Sequence, residues 1–502
     1  MSDIRGVWAS GTDARSASQR DTGTRLNTCV SVDTQGGGAQ ARLCQHISET
    51  GLALGRVELS FGDNVERALL LRVGGPHPQT NLFEREQRDS GMGWAALFKL
   101  YDAGEYTIHV RLVMERPWLG VGRNWTVCAV HHKQTSTLVQ RFSWQFAGVP
   151  TGAQMPTSIW AWRGRSNISN EKARETLSDI TVGLNPLRHQ LGATFRDLVY
   201  VPATFEHDWE RRATNKKIAE MGQVCFVGDS TLERLVHTLA HLRCSVARTV
   251  ENISSTPAPA GARQGYGYRC AKASASFGRY NFFPSRMGEG VDSSQRLYYR
   301  YVKVSMQGRP GGGEGWEDHR ARQNQLEHSN ATKSQLRACG AILYSMGHWP
   351  AGWPDGTPWT AEEYAARAYS ILAWLRDLGI QQHTKVAWVS TPPLPFNAGQ
   401  LSGHKGEALI SQINCPPTDW RFPHVLAAYN AAVRRIAISL NVSYLDLWQS
   451  SLDVLELSED GTHYGCSKDM LVSQACSGSP VGDAHAEMIL QWLLAEGKWG
   501  RL

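Results

Sequence analysis

The run Val224-Cys225-Phe226-Val227-Gly228-Asp229-Ser230 closes an apolar stretch on Gly-Asp-Ser, and Leu232, Leu235, Val236, Leu239 and Leu242 then recur at helical spacing. A short apolar run followed by a 3.6-residue period predicts a buried strand passing straight into an amphipathic helix. That junction constrains the fold more than any other feature of the chain, because it puts a strand inside a sheet and a helix against one of its faces. It also sets a serine hydroxyl at a helix N-terminus. Unpaired backbone N–H groups and the positive end of the helix dipole there stabilise a developing oxyanion.

The same alternation continues downstream. Strands are expected at 223–227, 297–304, 340–345, 385–390 and 442–447, with helices at 361–378, 423–440 and about 482–495. The helix at 361–378 carries Tyr364, Ala368, Ile371, Leu372 and Leu375 on one face, and that at 423–440 carries Leu426, Tyr429, Val433, Ile436, Ala437 and Leu440. Strands alternating with helices predict an α/β domain with a parallel sheet, taken here as 216–502. Residues 305–335, rich in Gly, Arg, Glu and Asn, read as a surface insertion.

The first part of the chain follows another pattern. From residue 26 to 150 short β-type runs such as Val57–Phe61, Ala68–Val73 and Tyr106–Val113 are broken by turn residues, for example Asp102-Ala103-Gly104-Glu105. This predicts a β-sandwich of immunoglobulin type. Cys29, Cys44 and Cys128 fall in it, and one pair is expected to cross between its sheets. Residues 1–25 read as a disordered lead, and 151–215 as an irregular connector packing on the α/β domain.

Composition narrows the function classes. Of 502 residues 41% are hydrophobic and 20% charged, which suits a globular protein. The net charge of +6 is spread without a Lys/Arg block, so no nucleic-acid partner is expected. No apolar stretch approaches the roughly 18–20 residues of a membrane span, and Met1–Gln19 has no apolar core of a signal peptide, so no membrane tether is visible. Ten cysteines and five Asn-X-Ser/Thr sites, at Asn124, Asn167, Asn252, Asn330 and Asn441, nevertheless point to a secreted or secretory-lumen protein. No Cys-X-X-Cys pair occurs, and no metal is expected.

Ligands of open parallel sheets bind beyond the carboxyl ends of the strands. Ser230 follows the first expected strand of the α/β domain, Ser345-Met346-Gly347-His348 the third, and Asp460-Gly461-Thr462-His463 the fifth. Together they supply a nucleophile, Ser230, a base, His463, and an orienting acid, Asp460, in the chain order Ser, Asp, His. Gly228, Asp229, Ser345, Gly347 and His348 are the expected oxyanion and substrate residues, with backbone N–H donors at Ser230 and around Gly347. His348 reads equally as a structural histidine. His485 is a rival imidazole but falls within a helical pattern, where packing or capping is expected. Asp446 reads as a turn carboxylate. Trp349, Trp353 and Trp359 read either as a sugar-stacking rim or as packing.

Phe226–Leu232, Gly347-His348-Trp349 and Asp460-Gly461-Thr462-His463-Tyr464 resemble motifs of the PC-esterase group of the SGNH (GDSL) superfamily. That group includes plant trichome birefringence-like polysaccharide O-acetyltransferases, sialate O-acetyltransferases and neurexophilin-and-PC-esterase-domain proteins. The resemblance covers roughly 210–500. It implies a flavodoxin-like α/β/α fold, a Ser230–Asp460–His463 triad, and O-acetyl transfer to or from a glycan. Three departures are visible: Glu233 stands where the group commonly has arginine, Ser345 stands where asparagine often precedes Thr-Gly-His, and the separate Asn-bearing block of the wider superfamily is not evident.

The sequence therefore leads to the expectation of a Golgi, secretory-lumen or secreted glycan O-acetyltransferase. It would bind no cofactor and take an acetyl donor such as acetyl-CoA as co-substrate. The alternatives are a carbohydrate acetylesterase on the same site, or a non-catalytic glycan-binding or adhesion protein.

Overall fold

The computed structural model of the protein describes residues 26–33, 39–47, 53–63, 67–75, 77–88, 91–100, 104–115, 137–146, 159–162, 198–201, 223–243, 248–252, 266–270, 280–281, 298–303, 336–337, 339–351, 359–377, 384–393, 423–457, 463–465 and 480–495. The expected lead at 1–25, most of the connector and all of the 305–335 insertion lie outside them.

Strand alternation builds the N-terminal unit. Strands β1 (Leu26–Asp33), β2 (Ala39–Ile47), β3 (Ala53–Phe61), β4 (Arg67–Gly74), β5 (Gln79–Leu82), β6 (Glu84–Arg88), β7 (Gly91–Leu100), β8 (Gly104–Glu115) and β9 (Thr137–Phe146) form two antiparallel sheets, ordered β1-β2-β3-β7-β6 and β5-β4-β8-β9. Val57 and Leu59 of β3 and Leu69, Leu71 and Val73 of β4 share one core with Trp94, Phe98, Ile108 and Val110. On the outer face of β3, Arg56 pairs with Glu58 at 2.7 Å and with Glu86 at 2.6 Å.

Strand β4 is buried along nearly its whole length because both of its faces are covered. Leu69, Leu71 and Val73 face the core shared by the two sheets, whereas Leu70 packs on Leu452 and Leu455 of the C-terminal unit. This double burial explains why Ala68–Val73 reads as a nearly continuous apolar run rather than a clean alternation.

The expected cross-sandwich disulfide is corrected by the structure. Cys29 bonds Cys44, and these two residues face each other on the adjacent strands β1 and β2 of one sheet. Antiparallel neighbours bring opposed side chains within bonding reach, so no bridge between sheets is needed. Cys128 lies outside the described residues.

The 151–215 stretch, expected to be irregular, contains β10 (Ile159–Trp162) and β11 (Leu198–Val201), which pair antiparallel. A ladder closed across 35 intervening residues leaves little local trace in sequence, since its partner is remote.

The C-terminal unit is a mixed sheet between helices. Its strands are β12 (Gln223–Gly228), β13 (Arg248–Asn252), β14 (Tyr266–Cys270), β15 (Tyr280–Asn281), β16 (Tyr298–Lys303), β17 (Cys339–Tyr344), β18 (Lys385–Val389) and β19 (Ser443–Leu445). Strands β16, β12, β17, β18 and β19 run parallel in that order, and β13, β14 and β15 extend the sheet antiparallel beyond β16. The helices are α1 (Ser230–Arg243), α2 (Ala361–Asp377), α3 (Pro423–Ser439), α4 (Trp448–Leu452) and α5 (Pro480–Leu494).

Strand β12 shows how the layers arise. Val224 and Phe226 join Leu232, Leu235, Val236 and Leu239 of α1 and Ile489, Leu490 and Trp492 of α5 in one core. Cys225 and Val227 point the other way, into a second core with Tyr364, Ile371 and Leu372 of α2 and Leu426, Tyr429 and Val433 of α3. Each fully buried aliphatic or aromatic side chain contributes about 1.5–3 kcal/mol, so these apolar stripes fix which helix covers which face. Cys225 is also disulfide-bonded to Cys339 of the neighbouring strand β17. At the end of α3, Asn441 takes φ 55° while the N–H groups of Asn441 and Val442 return to Ile438 and Ala437, a Schellman stop that delivers the chain into β19. Among the described residues no helix is long and apolar enough to cross a membrane.

Candidate active site

Parallel strands end on the same edge of the sheet, so the segments after β12, β17 and β18 meet there. Asp229 caps α1: its Oδ1 accepts from the Thr231 N–H at 2.9 Å, while its carbonyl accepts the Glu233 N–H at 3.2 Å. Such a cap is worth about 0.5–2 kcal/mol and fixes where the helix starts. Ser230 is therefore the first helical residue, half-exposed above a buried Asp229. The second carboxylate oxygen of Asp229 accepts from the His348 N–H at 3.0 Å and so ties α1 to the segment after β17.

That segment fits only without a side chain at 347. Gly347 takes φ +65°, and a Cβ there would lie 1.8 Å from Asp229 Oδ2. Its N–H donates to Ser345 Oγ at 3.1 Å, and Ser345 N–H donates to the Val227 carbonyl at 3.0 Å. Gly228 completes the close approach, since a Cβ on it would stand 2.7 Å from the Ser345 carbonyl oxygen.

His348 lies beneath this junction with 2% of its surface exposed. Its Nε2 is 2.6 Å from the Pro392 carbonyl, which can only accept, so Nε2 carries the proton. In the neutral ring Nδ1 then accepts from the Thr231 hydroxyl at 3.3 Å. His348 thus joins the segments after β12, β17 and β18, and of the two readings open in the sequence the structural one describes its contacts. Asp229, Gly347 and His348, expected on the oxyanion or substrate side, are engaged with one another inside the protein, because their polar groups stabilise the helix start and the crossing of two chain segments.

His463 meets Ser230 from the far side. Its Nε2 lies 2.7 Å from Ser230 Oγ across a separation of 233 residues. Two neighbours hold it there. The Tyr464 hydroxyl donates toward the Pro393 carbonyl at 3.0 Å and the Leu455 carbonyl at 3.4 Å, with its ring edge-on to His485. Gly465, at φ +103°, lies so close to α1 that a Cβ would be 2.4 Å from Thr238 Oγ1. The chain around His463 is consequently seated on the same helix that begins at Ser230. Asp460, the expected third member, lies outside the described residues.

The other candidates separate cleanly. His485 is 1% exposed and shares Nε2 with Ser451 Oγ at 2.9 Å and Ser450 Oγ at 3.1 Å, and burial pushes its pKa down to about 3. It is a neutral packing histidine, as its place in the terminal helix suggested. Asp446 Oδ1 accepts from the Trp448 N–H at 3.1 Å, a local turn contact. Trp359 is buried in the core beside Tyr364 and forms no exposed stacking rim, while Trp353 lies outside the described residues. Asn430 grips Thr391 by a two-way amide bond, accepting its N–H at 2.9 Å and donating to its carbonyl at 2.8 Å.

Thr231, Tyr464, Gly465 and Pro392 are supporting residues to which sequence reasoning assigned no part. Tyr464 closes the Asp460–Tyr464 motif and Gly465 adjoins it, and that position was the available signal. Pro392 offers only a carbonyl, which no pattern of side chains announces.

The half-exposed Ser230–His463 pair can exchange a proton during attack on a carbonyl, with the N-terminus of α1 beneath it. Among the described residues no group of His, Cys, Asp and Glu is arranged to hold a metal ion. No protein-family model matches the chain, and no curated protein matches it.

Proposed function

We propose that the protein is a glycan O-acetyltransferase that works through an acyl-serine intermediate on Ser230. The observation that carries this is the 2.7 Å contact between His463 Nε2 and Ser230 Oγ. In the first half-reaction His463 takes the Ser230 proton as Oγ attacks the acetyl carbonyl of the donor. The tetrahedral oxyanion forms over the start of α1, and the donor's leaving group departs with the proton from His463. In the second half-reaction His463 deprotonates a sugar hydroxyl, which attacks the acyl-serine and releases Ser230. Asp460, carried by the resemblance to PC-esterases, would accept from His463 Nδ1 and fix the tautomer that presents Nε2 to the serine.

The wider reading is an SGNH-type flavodoxin-like α/β/α domain preceded by an immunoglobulin-like sandwich. What supports it is the parallel order β16-β12-β17-β18-β19 between two helical layers, and the two antiparallel sheets around one core. An oxidising, secretory-pathway setting is supported by the Cys29–Cys44 and Cys225–Cys339 disulfides. No bound cofactor is proposed; the acetyl donor, for instance acetyl-CoA, enters as co-substrate.

Incubating purified protein with an acetyl donor and an acceptor glycan, against donor and water alone, tests the reading. Acetylated glycan that disappears with Ser230→Ala supports transfer. Donor hydrolysis without glycan product replaces transferase by esterase, since water and a sugar hydroxyl differ only in which reaches the acyl-enzyme. A wild type inert toward every ester and donor leaves a non-catalytic glycan-binding protein.

A further inference from the structure

We infer that the N-terminal unit is part of the active site's support, with Arg72 and Thr80 fixing the Asp453 turn from which the chain runs to His463. The inference rests on the acyl-serine reading above. Arg72 lies on β4 with none of its surface exposed, and its Nη1 donates both to Thr80 Oγ1 on β5 and to the backbone carbonyl of Asp453. The Thr80 N–H donates back to Asp453 Oδ1 at 2.9 Å. Gln449 of α4 closes the knot, donating to Asp453 Oδ1 at 2.7 Å and to the Thr80 carbonyl at 3.2 Å. Leu70 and Leu82 pack on Leu452 and Leu455 around it.

The far end of the same stretch returns to this turn. Tyr464, next to His463, donates toward the Leu455 carbonyl at 3.4 Å. Leu455, two residues beyond Asp453, is thus in contact both with Leu70 of the other unit and with the neighbour of His463. A buried charged group is a poor source of stability compared with apolar residues of equal volume, but it admits fewer alternative arrangements. That is the property a residue positioning a base requires, because small displacements of a catalytic group cost up to about 10²-fold in rate.

The test uses the full chain and a fluorophosphonate, which labels a serine only when its base is aligned. Arg72→Met is expected to slow Ser230 labelling by about tenfold or more with an unchanged circular dichroism spectrum. Arg72→Lys is expected to recover most of the rate, because both bonds leave from one nitrogen and an ammonium can reach both oxygens. Arg56→Met, on the opposite sheet of the sandwich, is expected to label at the wild-type rate. In ester turnover Arg72→Met should lower kcat and leave KM unchanged. Folded Arg72→Met that labels at the wild-type rate overturns the inference, as does a folded Arg72→Lys no faster than Arg72→Met. If Arg72→Met does not fold, Gln449→Met decides in its place by the same measure: slowing supports, wild-type labelling overturns. Absence of labelling in the wild type overturns the acyl-serine reading itself, whereas equal labelling in all variants overturns only this inference.

Discussion

The Asp229 carboxylate occupies the space that a side chain at position 347 would need. An ideal Cβ on Gly347 falls 1.8 Å from Asp229 Oδ2, so the loop after β17 closes on the cap of α1 only because residue 347 has no side chain. Gly347→Ala is expected to lose about 1–2 kcal/mol to the left-handed backbone and a further 0.5–2 kcal/mol as the cap is displaced. A urea midpoint unchanged from wild type would show that the two loops part without cost.

Ser230→Ala and His463→Ala should each lower turnover by at least ~10³-fold, the scale seen when triad members are removed. Both side chains are half-exposed, so neither change should move the thermal midpoint appreciably. Asp460→Asn should impair turnover through the wrong histidine tautomer while leaving the fold intact. Initial rates on an acetyl ester, beside thermal melts of the same samples, measure both. Full activity in Ser230→Ala would remove the nucleophile from the scheme.

Burial holds His485 near 3 and His424 near 4, so both stay neutral in the folded protein at pH values where the unfolded chain takes up protons. Their contribution to stability is therefore present above about pH 6.5 and lost as pH falls toward 4 and 3. Burial acts oppositely on Asp453 and Asp483, raising them to about 7 and about 6, so their contribution is greatest below about pH 4 and fades as pH rises through 6 to 7. The stability gap between wild type and His485→Gln should accordingly narrow from pH 7.5 to pH 5. Chemical denaturation at the two pH values reads it, and a widening gap would mean that His485 is protonated in the fold.

Removal of the Cys225–Cys339 bridge by a double alanine substitution should cost about 4–5 kcal/mol, because the bond spans 114 residues and loop-closure entropy grows with length. Guanidine denaturation of oxidised wild type and the double variant gives the difference. A loss below about 1 kcal/mol would indicate that the unfolded chain is already restricted over this span.

The elements around the site were legible where the signal is local. Helical periods placed Ala361–Asp377 and Pro423–Ser439 within a residue or so of their observed ends, and the apolar run before Ser230 gave β12 directly. The antiparallel extension β13-β14-β15 gave no such signal, since pairing with a remote strand, rather than a period, makes those residues extended. Asp229 and His348 illustrate the same limit in the site. Their residue types suit catalysis and internal support equally, and only the positions of Thr231 and Pro392 distinguish the two.

By itself the amino-acid order determined the strand-to-helix junction at Ser230, the alternation of strands and helices, and which side chains could act as nucleophile and base. Hydrophobic periodicity and helix capping act over a few residues, and so can be read from a few residues. Tertiary structure alone decided that His463 reaches Ser230, that His348 is turned inward, and that Arg72 of one unit grips Asp453 of the other. Those contacts join groups from 44 to 381 positions apart, and they exist because packing two cores against one sheet brings remote chain segments to the same edge.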